Sequence, residues 1–161
     1  RGPGLTLGEM MATKKKGTAV QGFELEDGLK VVSGHEEGVT FELFDDAGRP
    51  MHYVDETGER KRVTATVLGR YSPRYQEIER EIRERRWSDG RFQTSPEERE
   101  ADEDEHLSRT LLRWEGFSRG GEPLDPTPEN CLPYLQLPWI RAQFVAATQG
   151  RIGFFGSSSG D

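Results

Sequence analysis

The sequence predicts an α+β fold, mostly α, with a short N-terminal antiparallel β meander or hairpin followed by a C-terminal four-helix module. Three observations predict it. Residues 39–68 hold three short apolar runs parted by two Asp-to-Gly turn signals. After Gly69 the apolar spacing changes from two to three and four. Proline then follows a hydroxyl residue at Ser72-Pro73, Ser95-Pro96 and Thr127-Pro128, and Pro138 opens a fourth helix.

The first segment, residues 1–37, reads as a flexible arm. Lys14, Lys15 and Lys16, scattered acids and Gly17, Gly22, Gly28 and Gly34 show no sustained periodicity, with a short strand near Leu29–Val32. Met10 or Met11, followed by Ala12-Thr13-Lys14, suggests a translation start, which places residues 1–9 upstream of the fold. Residues 38–69 form the meander. Val39–Phe44, Met51–Val54 and Arg62–Leu68 are its strands, and Asp45-Asp46-Ala47-Gly48 and Asp55-Glu56-Thr57-Gly58 its turns. Val39, Phe41 and Leu43 share one face of the first strand; Val63, Ala65 and Val67 share one face of the third.

Residues 70–155 make the helical module. Ser72 caps a helix from about Ser72 to Trp87, with Tyr75, Ile78 and Ile82 on one face and Glu79–Arg83 and Glu81–Arg85 as i,i+4 pairs. Ser88-Asp89-Gly90 stops it. Ser95-Pro96-Glu97-Glu98 is a capping box opening a second helix from about Pro96 to Trp114, whose apolar stripe holds Leu107, Leu111, Leu112 and Trp114. The short loop makes the two antiparallel, so Arg85 and Arg86 lie beside the acids of residues 97–105. Gly116–Pro126 is an extended connection turning around Gly120-Gly121. Thr127-Pro128 starts a two-turn helix limited by Pro133, and Pro138 starts another that ends near Gln149, with Gly150 beyond it. The core is expected to hold Tyr71, Tyr75, Ile78, Leu107, Leu111, Trp114, Trp139, Ile140 and Phe144, while Gly156–Asp161 reads as a disordered tail.

Composition restricts function. A formal charge of −7 over 161 residues disfavours nucleic acid as a general partner, because phosphate neutralisation needs a basic surface. No apolar run approaches a membrane span, so a cytoplasmic, membrane-free protein is expected. Cys131 is alone in an apolar run and reads as a small buried hydrophobe. His35, His52 and His106 lack zinc-ligand spacing, Asp45–Gly48 lacks the later ligands of a calcium loop, and no phosphate loop or nucleophile motif occurs. These readings assign no catalytic residue, metal or cofactor, and point to a non-enzymatic binding protein. Partner-binding candidates are the basic Lys14, Lys15 and Lys16, the acidic Glu97, Glu98, Asp102 and Glu105, and Phe154 and Phe155 after the last helix.

The succession Val67-Leu68-Gly69-Arg70-Tyr71-Ser72-Pro73, Trp114-Glu115-Gly116-Phe117, Gly121-Glu122-Pro123-Leu124, Thr127-Pro128-Glu129-Asn130, Pro138-Trp139-Ile140 and Phe154-Phe155 resembles the tail assembly chaperones of tailed phages and prophages. The likeness spans about Thr64–Phe155. It implies a protein that binds the tape measure protein, the tail tube protein or both during tail morphogenesis in the bacterial host cytoplasm and is absent from the mature virion. The alternative in the same setting is a permanent minor structural protein of the tail or neck. A homo-oligomer is compatible with either.

Overall fold

The computed structural model describes residues 22–151, which form five helices and seven short strands. The chain divides between Val31 and Val32 into two units. The fold is α+β and mostly α.

The arm is the first correction. Leu25–Glu37 is a helix, α1, and not an extended segment. Leu25, Leu29 and Val32 fall at i, i+4 and i+7, a helical period that Gly28, Gly34 and the Val31-Val32 pair obscure in the sequence. Glu26 and Asp27 in the first turn suit the helix dipole. Gly38, at φ 116°, ends it and donates its N–H to the Gly34 carbonyl at 3.0 Å.

Four strands follow: β1 (Val39–Glu42), β2 (His52–Val54), β3 (Arg60–Arg62) and β4 (Thr64–Val67). They do not form a simple meander. β1 pairs directly with β4, Phe41 opposite Ala65, while β2 and β3 form a separate ribbon. The branch point is a ring of three backbone hydrogen bonds. Leu43 N–H donates to the Val63 carbonyl at 2.9 Å, Val63 N–H to Met51 at 2.9 Å, and Met51 N–H to Leu43 at 3.0 Å. The two Asp-to-Gly turns are built alike: the Asp45 carboxylate accepts from the N–H groups of Ala47 and Arg49, and that of Asp55 from Thr57 and Glu59.

Helix α2 (Pro73–Ser88) is capped by Ser72, whose hydroxyl accepts from Tyr75 N–H at 3.2 Å. Its far end closes through Gly90 and Arg91, which donate to the carbonyls of Trp87 and Arg86. Helix α3 (Pro96–Thr110) carries the full Ser95–Glu98 capping box. It stops four residues earlier than its apolar stripe predicts. Leu111–Glu115 is strand β5, paired with β4, so that Ala65 faces Trp114 and the sheet order is β1-β4-β5. The open edge of β4 supplies hydrogen bonds that a further helical turn would forgo, and Leu111 and Trp114 bury on the sheet. The expected division near residue 69 therefore separates nothing, since the helical segment contributes the third strand.

The Gly116–Pro126 connection contains a minute hairpin, β6 (Ser118–Arg119) with β7 (Glu122–Pro123), turning at Gly120 and Gly121, both with positive φ. Helices α4 (Pro128–Leu135) and α5 (Pro138–Thr148) complete the chain. The main core joins Phe41, Ala65 and Val67 of the sheet to Leu107, Trp114, Leu135, Ile140 and Phe144, and Phe41 meets Phe144 edge to face at 5.2 Å. Gln143 covers the end of β1, accepting from Phe44 N–H and donating to its carbonyl, both at 2.8 Å. A small second cluster, Leu68, Ile78 and Ile82, lies under α2.

Two predicted core residues lie outside. Trp139 is 38% exposed because the inward stripe of α5 runs Ile140, Gln143, Phe144 and Ala147, and position 139 falls off it. Tyr71 is 44% exposed; it precedes the α2 cap and stacks on His35 at 5.0 Å. Tyr75 is half-buried against His106, 4.3 Å edge to face.

Candidate interaction surfaces

The predicted partner-binding residues fall into three fates. Lys14, Lys15, Lys16, Phe154 and Phe155 lie outside the described residues. Glu97 is exposed at the start of α3. Glu98, Asp102 and Glu105 are engaged within the chain by the basic end of α2, as the antiparallel pairing of the two helices leads one to expect. Arg85 grips Glu105 with two hydrogen bonds, 2.6 and 3.0 Å. Arg86 pairs with Asp102 at 2.6 Å and Glu98 at 3.5 Å, and Arg91 also meets Glu98. Arg109 reaches back to Glu81 at 2.5 Å. The i,i+4 pair Glu81–Arg85 does not form, because cross-helix partners take both residues and a bidentate carboxylate offers more than a neighbouring turn, and Glu79–Arg83 is also absent. These pairs hold Glu105 below the ordinary glutamate range, mainly through the Arg85 hydrogen bond, and raise Arg85.

A second ionic joint ties α3 to α5. Buried Asp104 accepts from Arg141 Nε at 2.7 Å and from Gln136 at 3.2 Å, and Arg141 also meets Glu103. His35 donates nothing to its neighbour: its Nδ1 accepts from Tyr71 N–H at 3.0 Å, and burial followed by the charge of Arg70 lowers its pKa. Gly69 permits this approach, since a Cβ there would lie 2.2 Å from His35 Nδ1. Cys131 is fully buried and its thiol is pushed up to about 12 by burial, which makes it an inert packing group. Among the described residues, no cluster of His, Cys, Asp and Glu has the make-up of a metal site, and no helix is long and apolar enough to cross a membrane.

The feature the sequence does not disclose is a groove of 690 Å³ between the β2–β3 ribbon and the β6–β7 hairpin. Its floor is aromatic. Trp114 and Phe117 stack at 4.1 Å, and Phe117 is backed, away from the groove lining, by Tyr134 edge to face at 5.1 Å. Trp114 Nε1 donates to the Leu124 carbonyl at 2.7 Å, which fixes the indole. Tyr53 and exposed Val54 form the ribbon side, with Lys61 held by Asp55 at 3.0 Å. Gly116, at φ 90°, is required here, because a Cβ would lie 2.6 Å from the Tyr53 ring. Burial, then the Glu115 charge, raises the Tyr53 pKa, so the phenol stays a neutral donor, 3.4 Å from Glu115.

Three of the sequence motifs meet around this floor. Trp114, Gly116 and Phe117 build it, Leu124 holds the indole, and Thr127 caps α4 by accepting from Asn130 N–H at 3.2 Å. Asn130 in turn donates to the Asp125 carbonyl at 2.9 Å, which fixes the connection. Only a tertiary assembly that brings residue 53 to residue 116 creates the groove, so no local signal could have found it. No family model, curated protein or solved structure matches this chain.

Proposed function

We propose that this protein is a non-enzymatic assembly chaperone of a phage tail, which binds the tape measure protein, the tail tube protein or both while the tail is built. The observation that carries the reading is the convergence of the motifs Trp114–Phe117, Gly121–Leu124 and Thr127–Asn130 on one aromatic floor beside an open groove. An extended or helical apolar segment suits such a floor: aromatic rings supply large contact area, and the neutral and charged rim of Tyr53, Lys61 and Glu115 supplies reversible polar contacts.

Co-expression tests the proposal. The tape measure protein of the same phage is expected to stay soluble in the presence of this chain and to aggregate without it. Purified virions are expected to lack the chain by mass spectrometry. Unchanged solubility together with a fixed copy number in the virion would replace the chaperone with a minor structural protein.

A further inference from the structure

A cleft of 600 Å³ runs along one flank of α2, between Gln76, Arg80 and Arg83 of that helix and Arg70, Tyr71 and Gln149 beside it. All of its lining residues belong to the unit Val32–Asp161, and none of them lines the groove over Trp114. Gln76, Arg80 and Arg83 fall at i, i+4 and i+7 and so share a face. Glu77, Glu81 and Glu84 each follow one residue later, which turns them about 100° round the helix at 3.6 residues per turn. The acids of α2 therefore form a stripe of their own and leave the arginines of the cleft largely uncompensated. Among the described residues Arg83 has no acid within 4.0 Å, and Arg80 has only Glu84 at 4.0 Å. Arg85 and Arg86, by contrast, are taken by α3.

The third arginine is held in place before any ligand arrives. Arg70 donates to Gln149 Oε1 at 3.0 Å and to the Tyr71 hydroxyl at 2.8 Å, and its guanidinium lies 4.8 Å from the centre of the Tyr71 ring. Both hydrogen-bond partners are neutral, so they orient the fork but leave its charge and three of its five N–H donors unmatched. Tyr71 is fixed in turn, because its N–H donates to His35 Nδ1 at 3.0 Å and its ring stacks on that of His35. A guanidinium ordered in this way loses little side-chain freedom on binding.

Three guanidinium groups facing one cleft, with Glu79 as the one acid among the lining residues, suit a ligand that carries separated carboxylates. Gln76 lies beside Arg70, donating to its carbonyl at 3.3 Å. Arg80 and Arg83 stand about 6 and 10 Å further along the helix, at 1.5 Å per residue. Residues two and three apart in an extended chain reproduce those steps, at about 3.3 Å per residue. A continuous polyanion fits less well, since Glu79 opposes it from the lining and the whole chain carries a net charge of −7. We infer that this cleft docks an extended acidic segment of a partner protein. Its carboxylates, two to three residues apart, pair with Arg70 and with Arg80 and Arg83, and the side chain between them lies along Tyr71 and Tyr75. The inference does not depend on the chaperone reading.

Fluorescence anisotropy tests it, with a short fluorescein-labelled peptide of alternating glutamate and leucine at low salt. Saturable binding is expected, at least ~10-fold tighter than that of the same peptide with glutamine in place of glutamate. Arg80→Glu/Arg83→Glu should weaken binding at least ~10-fold with unchanged far-ultraviolet circular dichroism, and Arg70→Gln should weaken it as well. Arg99→Glu/Arg113→Glu, which makes the same change of net charge at exposed positions outside the cleft, should bind as the natural chain does. The absence of saturable binding by the natural chain overturns the inference, as does unchanged binding by the cleft variants. Equal weakening by both double variants also overturns it, because net charge alone would then govern the contact. A labelled oligothymidylate that binds more tightly than the peptide, and is lost with Arg80→Glu/Arg83→Glu, would overturn it by reassigning the arginines to nucleic acid.

Discussion

Around Phe144, the sheet and the last two helices exclude water from a continuous apolar set that reaches from Phe41 to Ala147. Along α2 and α3, only Leu68, Ile78 and Ile82 form a comparable cluster, and ion pairs cross the rest of the contact. The difference separates two ways of holding a small fold. Burial is non-directional and insensitive to salt, and it tolerates no lost volume. Exposed ion pairs contribute little each and weaken with salt and acid, but they fix which helix lies beside which and in what register. The expectation is a sheet-centred half that sets global stability and a hairpin half that loosens first.

The largest test of that division is Phe144→Ala. Phe144 is fully buried against Phe41, so truncation should cost about 3–5 kcal/mol and shift the urea midpoint of the whole domain. An equal midpoint shift from truncating an exposed hairpin residue such as Arg83 would dissolve the contrast. Next comes Asp104→Ala, because Asp104 joins the halves through Arg141 and Gln136. Loss of a charged, mostly buried acceptor should cost roughly 2–3 kcal/mol. It is expected to raise amide exchange in α3 and α5 together. Exchange raised in α3 alone would mean that Asp104 serves only the hairpin.

Ser95→Ala is smaller and more local. The hydroxyl accepts from Glu98 N–H at 3.1 Å while Glu98 accepts from Ser95 N–H at 2.9 Å, so removing it should cost about 1 kcal/mol. Increased exchange should stay within the first turn of α3. A global loss of protection would show that the cap nucleates more than its helix.

How much of this was legible before folding differs between the same two regions. The hairpin is written locally: Ser72-Pro73 and Ser95-Pro96 mark the helix starts, Gly90 marks a stop, and the acids of residues 97–105 announce their basic partners. The sheet is not, since β1 finds β4 across two turns and β4 finds β5 across the whole hairpin. Leu111–Glu115 illustrates the limit, for its apolar spacing continues that of α3 and only the free edge of β4 decides for a strand. α1 fails for another reason: its two glycines argue against a helix in any propensity scale, and the periodicity of Leu25, Leu29 and Val32 is the quieter signal. As for sites, the acidic run and its basic counterpart are both visible in the sequence, but which arginine takes which acid is a tertiary fact. The groove over Trp114 and Phe117 is wholly tertiary.

The smallest effect is also the sharpest test of what holds the hairpin. Arg85→Ala removes the bidentate contact to Glu105, a pair in which the arginine side chain is 55% exposed, so solvent limits its worth to about 0.2–1 kcal/mol. That difference should shrink further in 1 M salt, where screening acts within about 3 Å. The pH dependence has a fixed sign. Glu105 has its pKa below the ordinary value when folded, so its share of stability is present above about pH 4.5 and is lost as the pH falls through the lower folded value. The natural chain should therefore lose its advantage over the Arg85→Ala variant in acid, and urea midpoints at pH 7 and pH 3 would measure this. A gap that persists at pH 3 would mean that Arg85 works through the packing of its stem, and the hairpin would then rest on burial as the sheet does.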